Sequence, residues 1–159
     1  MQYKNKKHSI YKDRAIFGAY LAGLWEGDGS ILVKSKEHLK PTINITLHKN
    51  QSIFAEKLTK IADFFCVKLG TLTARNPNAL DQYKIKISSA KSKKILRAYL
   101  DKFPLLSSKY LDYKAWSEVD DLMIKKHHYT DDGVIKIAKI KKSMNNLRVN
   151  YNWKHLDCL

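Results

Sequence analysis

Cysteine is rare in this sequence. Only Cys66 and Cys158 occur among its 159 residues, and their spacing is not that of a metal site. We expect both to be free thiols in a reducing compartment, because small domains held by disulfides carry many more cysteines. Cys66 lies in an apolar run, residues 61–67, and is expected to be a small buried hydrophobic residue.

Long apolar runs are also missing. No stretch approaches the ~20 apolar residues needed to cross a bilayer, so we expect no membrane partner. Residues 1–13 are polar and basic, and we interpret them as a loose N-terminal arm and not as a secretory signal. With 44% apolar residues, the rest of the chain can form one core without crosslinks.

Acidic residues are scarce. Fifteen Asp and Glu face thirty Lys and Arg, which gives a formal net charge of +15. A domain this basic usually binds a polyanion. The alternative is a protein that is merely basic, but the surplus is unevenly placed: residues 84–114 carry nine cations and two anions. We therefore favour nucleic acid as a partner.

The first predicted helix is unusually apolar. Asp13 can cap a helix that starts near Arg14 and runs through residues 15–25, which are almost wholly apolar. Such a helix is buried on all sides. Small residues recur in it at four-residue spacing, as Gly18 with Ala22 and Ala19 with Gly23. We expect it to pack partly on its own domain and partly on a second helix of the same kind. It should end within residues 26–29, where the glycines permit a positive φ.

The spacing of apolar residues predicts the remaining helices and strands. Alternating polar and apolar residues predict strands over residues 30–36, 42–47, 71–75 and 82–88, and helical spacing predicts helices over 53–67, 92–103, 111–126 and 131–144. This order predicts an α+β domain over residues 14–145, with one antiparallel sheet covered by helices on one face. Residues 146–159 are expected to dock on that domain as a tail.

The two faces of the predicted sheet differ in chemistry. Its apolar positions should face the helices: Ile31, Val33, Ile43, Ile45, Leu47, Leu72, Tyr83, Ile85 and Ile87. The opposite face mixes cations with hydrogen-bonding side chains and has no acid: Ser30, Leu32, Lys34, Lys36, Thr42, Asn44, Thr46, Thr71, Thr73, Arg75, Gln82, Lys84 and Lys86. Such side chains neutralise phosphates and read base edges in the major groove. A solvated face is the common alternative, but it would normally include Asp and Glu. Aromatic platforms are scarce on this face, which favours a duplex over a single strand.

Two acids interrupt this basic surface where the first helix meets the first strand. A carboxylate repels phosphate, so Glu26 and Asp28 need a reason to be there. One reason is Mg²⁺, which prefers one or two carboxylates together with waters and substrate phosphates, and which assists phosphodiester cleavage. The alternative is a pair of capping or turn acids at a helix end, and spacing alone favours that alternative.

The stretch LAGLWEGDG resembles the signature of the LAGLIDADG homing endonucleases. The residues that match the signature outright are Leu21, Ala22, Gly23, Leu24, Asp28 and Gly29, whereas Trp25, Glu26 and Gly27 replace isoleucine, aspartate and alanine. The segments KYLDYKAW and MNNLRVNYNW also look like organellar members of the family. The resemblance implies the family's αββαββα fold, with an antiparallel sheet saddle and extra C-terminal helices.

The resemblance also implies roles for particular residues. In the family, the last acid of the motif and the preceding carbonyl bind the catalytic metal ions, which points to Asp28 and Gly27. Lys109, in PLLSSKY, matches a lysine that lies near the cleavage centre. A polar residue at the end of the second strand positions the attacking water. Here the register gives Leu47 or His48, and because Leu cannot act in this way, His48 is the candidate, with an ordinary loop histidine as the alternative.

The resemblance implies a stoichiometry as well. Members with one motif act as homodimers whose motif helices pack at small residues, here Ala19, Ala22 and Gly23. The implied activity is that of an intron-encoded, organellar, Mg²⁺-dependent endonuclease on a long, roughly palindromic double-stranded DNA site. Mn²⁺ or Ca²⁺ is expected to substitute for Mg²⁺ in binding. The alternatives are an RNA maturase that assists group I intron splicing, a non-catalytic DNA-binding protein of this fold, and half of a protein whose partner domain is lost. An intact Asp28 favours cleavage.

Overall fold

The computed structural model describes residues 13–33, 41–48, 55–74, 76 and 79–157. Its elements are α1 (Arg14–Asp28), β1 (Gly29–Val33), β2 (Pro41–His48), α2 (Ala55–Phe64), β3 (Gly70–Leu72), β4 (Gln82–Ile87), α3 (Ala90–Lys102), α4 (Ser108–Ile124) and α5 (Asp131–Lys142). Short 3₁₀ turns lie at His127–Tyr129, Asn145–Leu147 and Lys154–Leu156. The predicted αββαββα order with additional C-terminal helices is therefore confirmed.

Helix α1 begins as its sequence predicts but ends for a different reason. The Asp13 carboxylate accepts hydrogen bonds from the amides of Ala15 (2.8 Å) and Ile16 (3.1 Å), which satisfies two of the unpaired donors of the first turn. No described glycine has a positive φ, and Gly29 is extended at φ −75°. The expectation that a glycine with positive φ ends α1 is therefore wrong. Instead, a Cβ at Gly29 would lie 2.5 Å from the carbonyl oxygen of Trp25, so the close approach of these two residues requires glycine at position 29.

The strands form one antiparallel sheet in the order β1-β2-β4-β3. One face carries the isoleucines and Val33, each at most 5% exposed, and these residues pack under α1, α2, α3 and α4: Ile31, Val33, Ile43, Ile45, Ile85 and Ile87. From the helix side, Trp116 and Val119 of α4 are fully buried. The predicted arrangement of one sheet covered by helices on one face is confirmed.

The predicted phase of β3 is wrong by one residue. Leu72 lies opposite Gln82 and is 39% exposed, so it is on the open face and not under the helices. Thr71 lies opposite Tyr83, on the face that was assigned to apolar residues. Thr73 lies beyond the end of the strand. A slip of one residue moves every side chain to the other face, and in a three-residue strand the alternation is too short to fix the register.

Cys66 is exposed, contrary to the expectation of a buried thiol. It follows the last turn of α2 in a left-handed conformation with φ 54°. That backbone turn directs Phe65 inward, where it is fully buried, and leaves the neighbouring Cys66 outside.

The end of the chain is held to α4 by a buried ion pair. Arg148 Nη2 lies 2.5 Å from the carboxylate of Asp112, and the two side chains are 10% and 6% exposed. The same carboxylate accepts from the amide of Asn145 (3.0 Å), whose side chain donates to the carbonyl of Ile31 on the edge strand β1 (3.1 Å). Residues 1–12 of the predicted basic arm lie outside the described residues. None of the helices described is long and apolar enough to cross a membrane.

Replacing Arg148 by Ala should destabilise the fold by about 3 kcal/mol, because the Asp112 charge is then buried without its partner. Urea denaturation measures the change in the free energy of unfolding. Lys136→Ala is the matched control, since its ion pair with Glu118 is half-exposed (55% and 49%) and should contribute less than about 1 kcal/mol. Equal losses in the two variants would contradict the buried character of the Arg148 pair.

Candidate nucleic-acid interface and metal site

Asp28 is placed at the junction of α1 and the sheet. It is the last residue of α1 and is exposed, and β1 begins at the next residue. Among the described residues, no hydrogen bond or ion pair engages its carboxylate. A capping or turn role would require such a bond, and none is made with a described residue.

Glu26, by contrast, is fully engaged. Its Oε1 accepts from the amides of Leu106 (2.5 Å) and Ser107 (3.1 Å), and its Oε2 accepts from the hydroxyl of Ser107. These groups lie just before α4, whose positive dipole end favours a carboxylate. Glu26 therefore ties the end of α1 to the start of α4.

Lys109 makes the reverse connection. Its ammonium donates to the carbonyl oxygens of Trp25 (3.2 Å), Glu26 (2.5 Å) and Gly27 (3.3 Å). Carbonyls in the last turn of a helix lack intrahelical partners, and a cation there also suits the helix dipole. The structure thus brings Lys109 to the end of α1, beside Gly27.

The two candidate ligands suit a hard cation. The Asp28 carboxylate and the Gly27 carbonyl both offer oxygen, the donor that Mg²⁺ prefers. Within the described part of the chain, no group of three His, Cys, Asp or Glu residues could hold a metal ion. If Asp28 and Gly27 hold such an ion, the described residues would supply only part of its shell, and waters, phosphates or a second chain would supply the rest.

His48 is not close to this junction along the strand. Gly29 pairs with Ile45, and His48 lies three residues further along β2, opposite Gln82. At ~3.3 Å per residue, this places its backbone about 10 Å along the strand from the Ile45 position.

The open face of the sheet carries polar and cationic rows. Ser30, Asn44 and Lys86 are opposite one another across three strands, and Thr46 is opposite Lys84 in the next row. Leu32 and Lys86 are exposed, whereas Asn44 is only 6% exposed, with no hydrogen-bond partner for its Oδ1 among the described residues. Three residues expected on this face lie outside the described residues: Lys34, Lys36 and Arg75.

Helix α1 also leaves one side uncovered. Ile16 is 55% and Tyr20 36% exposed, Ala19 and Gly23 are exposed beside them, and Ala22 is half-buried. A Cβ at Gly23 would meet no atom within 4 Å. The expectation of burial on all sides is therefore wrong for the described chain alone.

The opposite side of α1 faces its own domain. Gly18 is buried there, in contact with the ring of Phe103, and its carbonyl accepts from the hydroxyl of Tyr99 (2.5 Å). The small size of Gly18 thus serves packing inside the domain, unlike that of Gly23. Burial raises the pKa of Tyr99, which keeps its hydroxyl protonated as a donor.

Comparison with known proteins identifies the family. The LAGLIDADG endonuclease model matches residues 21–119. A probable intron-encoded DNA endonuclease, aI1, of Mycosarcoma maydis is 35% identical over 116 residues, which cover 71% of this chain and 94% of that protein. The chain therefore belongs to the LAGLIDADG endonuclease family.

Solved structures agree on the fold. The LAGLIDADG homing endonuclease I-GzeII, in complex with its DNA target, matches with a TM-score of 0.70 at 22% identity, over 92% of this chain and 47% of that one. The homing endonuclease I-TnaI matches with a TM-score of 0.68 at 22% identity, over 89% of this chain and 93% of that one. The chain thus spans about half the length of I-GzeII.

The crossed contacts of Glu26 and Lys109 between α1 and α4 were not predicted from the sequence. A signal was available, since Glu26 lies in the last turn of α1 and Lys109 is the second residue of α4. Each charge therefore has the unfavourable sign for the dipole of its own helix. A charge misplaced on its own helix indicates a partner in another element.

Glu26→Ala should lower the free energy of unfolding by about 1 kcal/mol, the usual effect of losing a helix-capping side chain. Glu26→Gln keeps one oxygen acceptor and should lose less. Asp63→Ala on α2 is the control for removing an exposed carboxylate. Chemical denaturation of all three variants checks the order; an effect of Glu26→Ala no larger than that of Asp63→Ala would argue against the capping role.

Proposed function

We propose that this chain is a site-specific endonuclease that hydrolyses both strands of duplex DNA with the help of divalent metal ions. The observation that carries the proposal is the Asp28 carboxylate, exposed and without a described partner at the edge of an acid-free sheet face. A basic surface that holds phosphate has no electrostatic use for a lone acid unless a cation bridges the two.

The relatives support DNA as the substrate and an intron as the origin of the gene. The Mycosarcoma maydis relative is described as an intron-encoded DNA endonuclease, and I-GzeII was crystallised with its DNA target. An intron of an organellar genome would place the protein in an organelle. The alternation of Lys84 and Lys86 on β4 suits phosphate contacts, and Gln82 has the donors and acceptor for base edges. Asn44, which was expected to act in the same way, is only 6% exposed, so its amide would have to move to reach a base.

A homodimer is the proposed active form. The chain carries one motif and hence one Asp28, whereas a duplex has two strands to cut. The uncovered side of α1, with Ile16, Ala19, Tyr20 and Gly23, offers a surface that a two-fold axis could bury against its own copy. Such a dimer would bring two Asp28 carboxylates and two sheets to one DNA site.

In the proposed reaction, water attacks a phosphorus atom in line with the leaving 3′ oxygen. A bound Mg²⁺ would supply charge neutralisation and an activated water, held by the carboxylate of Asp28 and the carbonyl of Gly27. Lys109, beside Gly27, adds a positive charge near the scissile phosphate. His48 remains a candidate for positioning the water. The sheet binds the flanking phosphates and thereby fixes the register of the cut.

Asp28→Asn should abolish double-strand cleavage and leave duplex binding unchanged or tighter, because a charge that repels phosphate is removed. Cleavage is measured on a plasmid carrying the insertion site of the encoding intron, with Mg²⁺ or Mn²⁺, and binding is measured with Ca²⁺. The control is Asp63→Asn, which removes an exposed carboxylate from α2 and should cut normally. Loss of binding together with cutting would mark Asp28 as structural.

Gly23→Leu should convert a dimer into a monomer without harming the fold. A Cβ at this position would meet no described atom within 4 Å, whereas a leucine side chain would separate two helices packed at small residues. Sedimentation velocity measures the change, and Ala138→Leu on the exposed side of α5 is the control. A wild-type chain that sediments as a monomer at high concentration would contradict the homodimer proposal.

A further inference from the structure

The C-terminal segment carries a row of aromatic rings that the proposed cleavage of duplex DNA does not use. Tyr151 and Trp153 stack with their ring centroids 5.7 Å apart and their planes 10° from parallel. Trp153 contacts His155 at 6.0 Å, and His155 stacks on Tyr110 of α4 at 4.0 Å and 14°. We call these four residues the aromatic ladder. We propose that the aromatic ladder binds unpaired nucleobases of a single-stranded nucleic acid.

The outer end of the aromatic ladder is open. Tyr151 is 53% and Trp153 44% exposed, and the only ring contact described for Tyr151 is with Trp153. The C-terminal segment is already held to α4 by His155 on Tyr110 and by Arg148 on Asp112. Packing of the segment therefore does not explain why the two outer rings are aromatic. Two large, nearly parallel rings facing solvent are what a stacked base needs, since every base has a π-face to place on them.

The inner end of the aromatic ladder is fixed beside the end of α1. His155 Nε2 lies 3.2 Å from the carbonyl oxygen of Leu106, and the amide of Leu106 donates to Glu26. Leu106 thus connects the aromatic ladder to Glu26, in the last turn of the helix that ends at Asp28.

The charges around the aromatic ladder suit a phosphate backbone. Lys114 Nζ lies 6.0 Å from the ring centroid of Tyr110, and the exposed Lys154 lies between Trp153 and His155 in sequence. One exposed acid, Asp157, follows them. Because duplex bases are already stacked on each other, they cannot offer their faces to these rings, so an unpaired strand is the expected occupant.

Tryptophan fluorescence provides a direct test, because Trp25 and Trp116 are 2% and 0% exposed and only Trp153 is open to a ligand. Titrating the full-length wild-type protein with oligothymidylate or oligouridylate should quench this emission with saturation. Stacking does not need a 2′-hydroxyl, so both strands should bind, and a preference would identify DNA or RNA as the natural source. No quenching by either strand, or equal quenching by a blunt duplex, would overturn the proposal.

Substitutions in the aromatic ladder test the binding site without relying on tryptophan fluorescence. Trp153→Ala and Tyr151→Ala should each weaken binding of a fluorescein-labelled oligothymidylate by about five- to 150-fold, as measured by anisotropy, whereas Trp153→Phe should restore most of the affinity. Tyr129→Ala, which removes an 80% exposed ring outside the aromatic ladder, is the control and should bind normally. Folding of each variant is checked by circular dichroism.

Unchanged affinity in folded Trp153→Ala and Tyr151→Ala would rule out the aromatic ladder. This test of binding does not depend on the proposed cleavage, because the carboxylate of Asp28 is not part of the aromatic ladder. Asp28→Asn should therefore keep the Trp153 quenching even where it cuts nothing, so the two proposals fail separately.

Discussion

The end of α1 and the start of α4 hold each other through two charges that cross between the helices. Glu26 supplies a carboxylate to the unpaired amides before α4, and Lys109 supplies an ammonium to carbonyls in the last turn of α1. Each charge opposes the dipole of its own helix and favours that of the other. The position of Asp28 depends on this connection, because the two contacts fix the last turn of α1 against the start of α4. They also engage Glu26, so that Asp28 is the motif acid without a described partner.

This division explains why two acids so close in sequence differ in role. Both lie in the last turn of α1, but only Glu26 points at donors. The Asp28 carboxylate is left in a chain with a net charge of +15, beside a face of polar and cationic residues. An anion there is stable in water, but phosphate can approach it only if a cation intervenes.

Local pattern was enough to predict most of the fold, because helix caps and strand alternation act within a few residues. Asp13 capping α1 and the buried Ile43, Ile45 and Ile85 are of this kind. The errors lie where another element decides. Thr71 and Leu72 take their faces from pairing with β4, and Cys66 is exposed where it adopts a left-handed conformation after α2. In the candidate site, sequence placed Asp28 and Lys109, whereas the contacts of Glu26, about 80 residues distant in sequence, depend on tertiary packing.

Helix α1 shows how one short segment meets two packing demands. Leu21, Trp25 and Gly18 form a side that is buried in the domain, where even a methyl group on Gly18 would collide with Phe103. Gly23 lies on the other side, where a Cβ would meet no atom of the described residues within 4 Å. Internal packing therefore accounts for a small residue at Gly18 but not at Gly23. A helix interior without such a demand normally disfavours glycine by about 1 kcal/mol relative to alanine, and the proposed homodimer would supply the close packing that the described residues do not supply at Gly23.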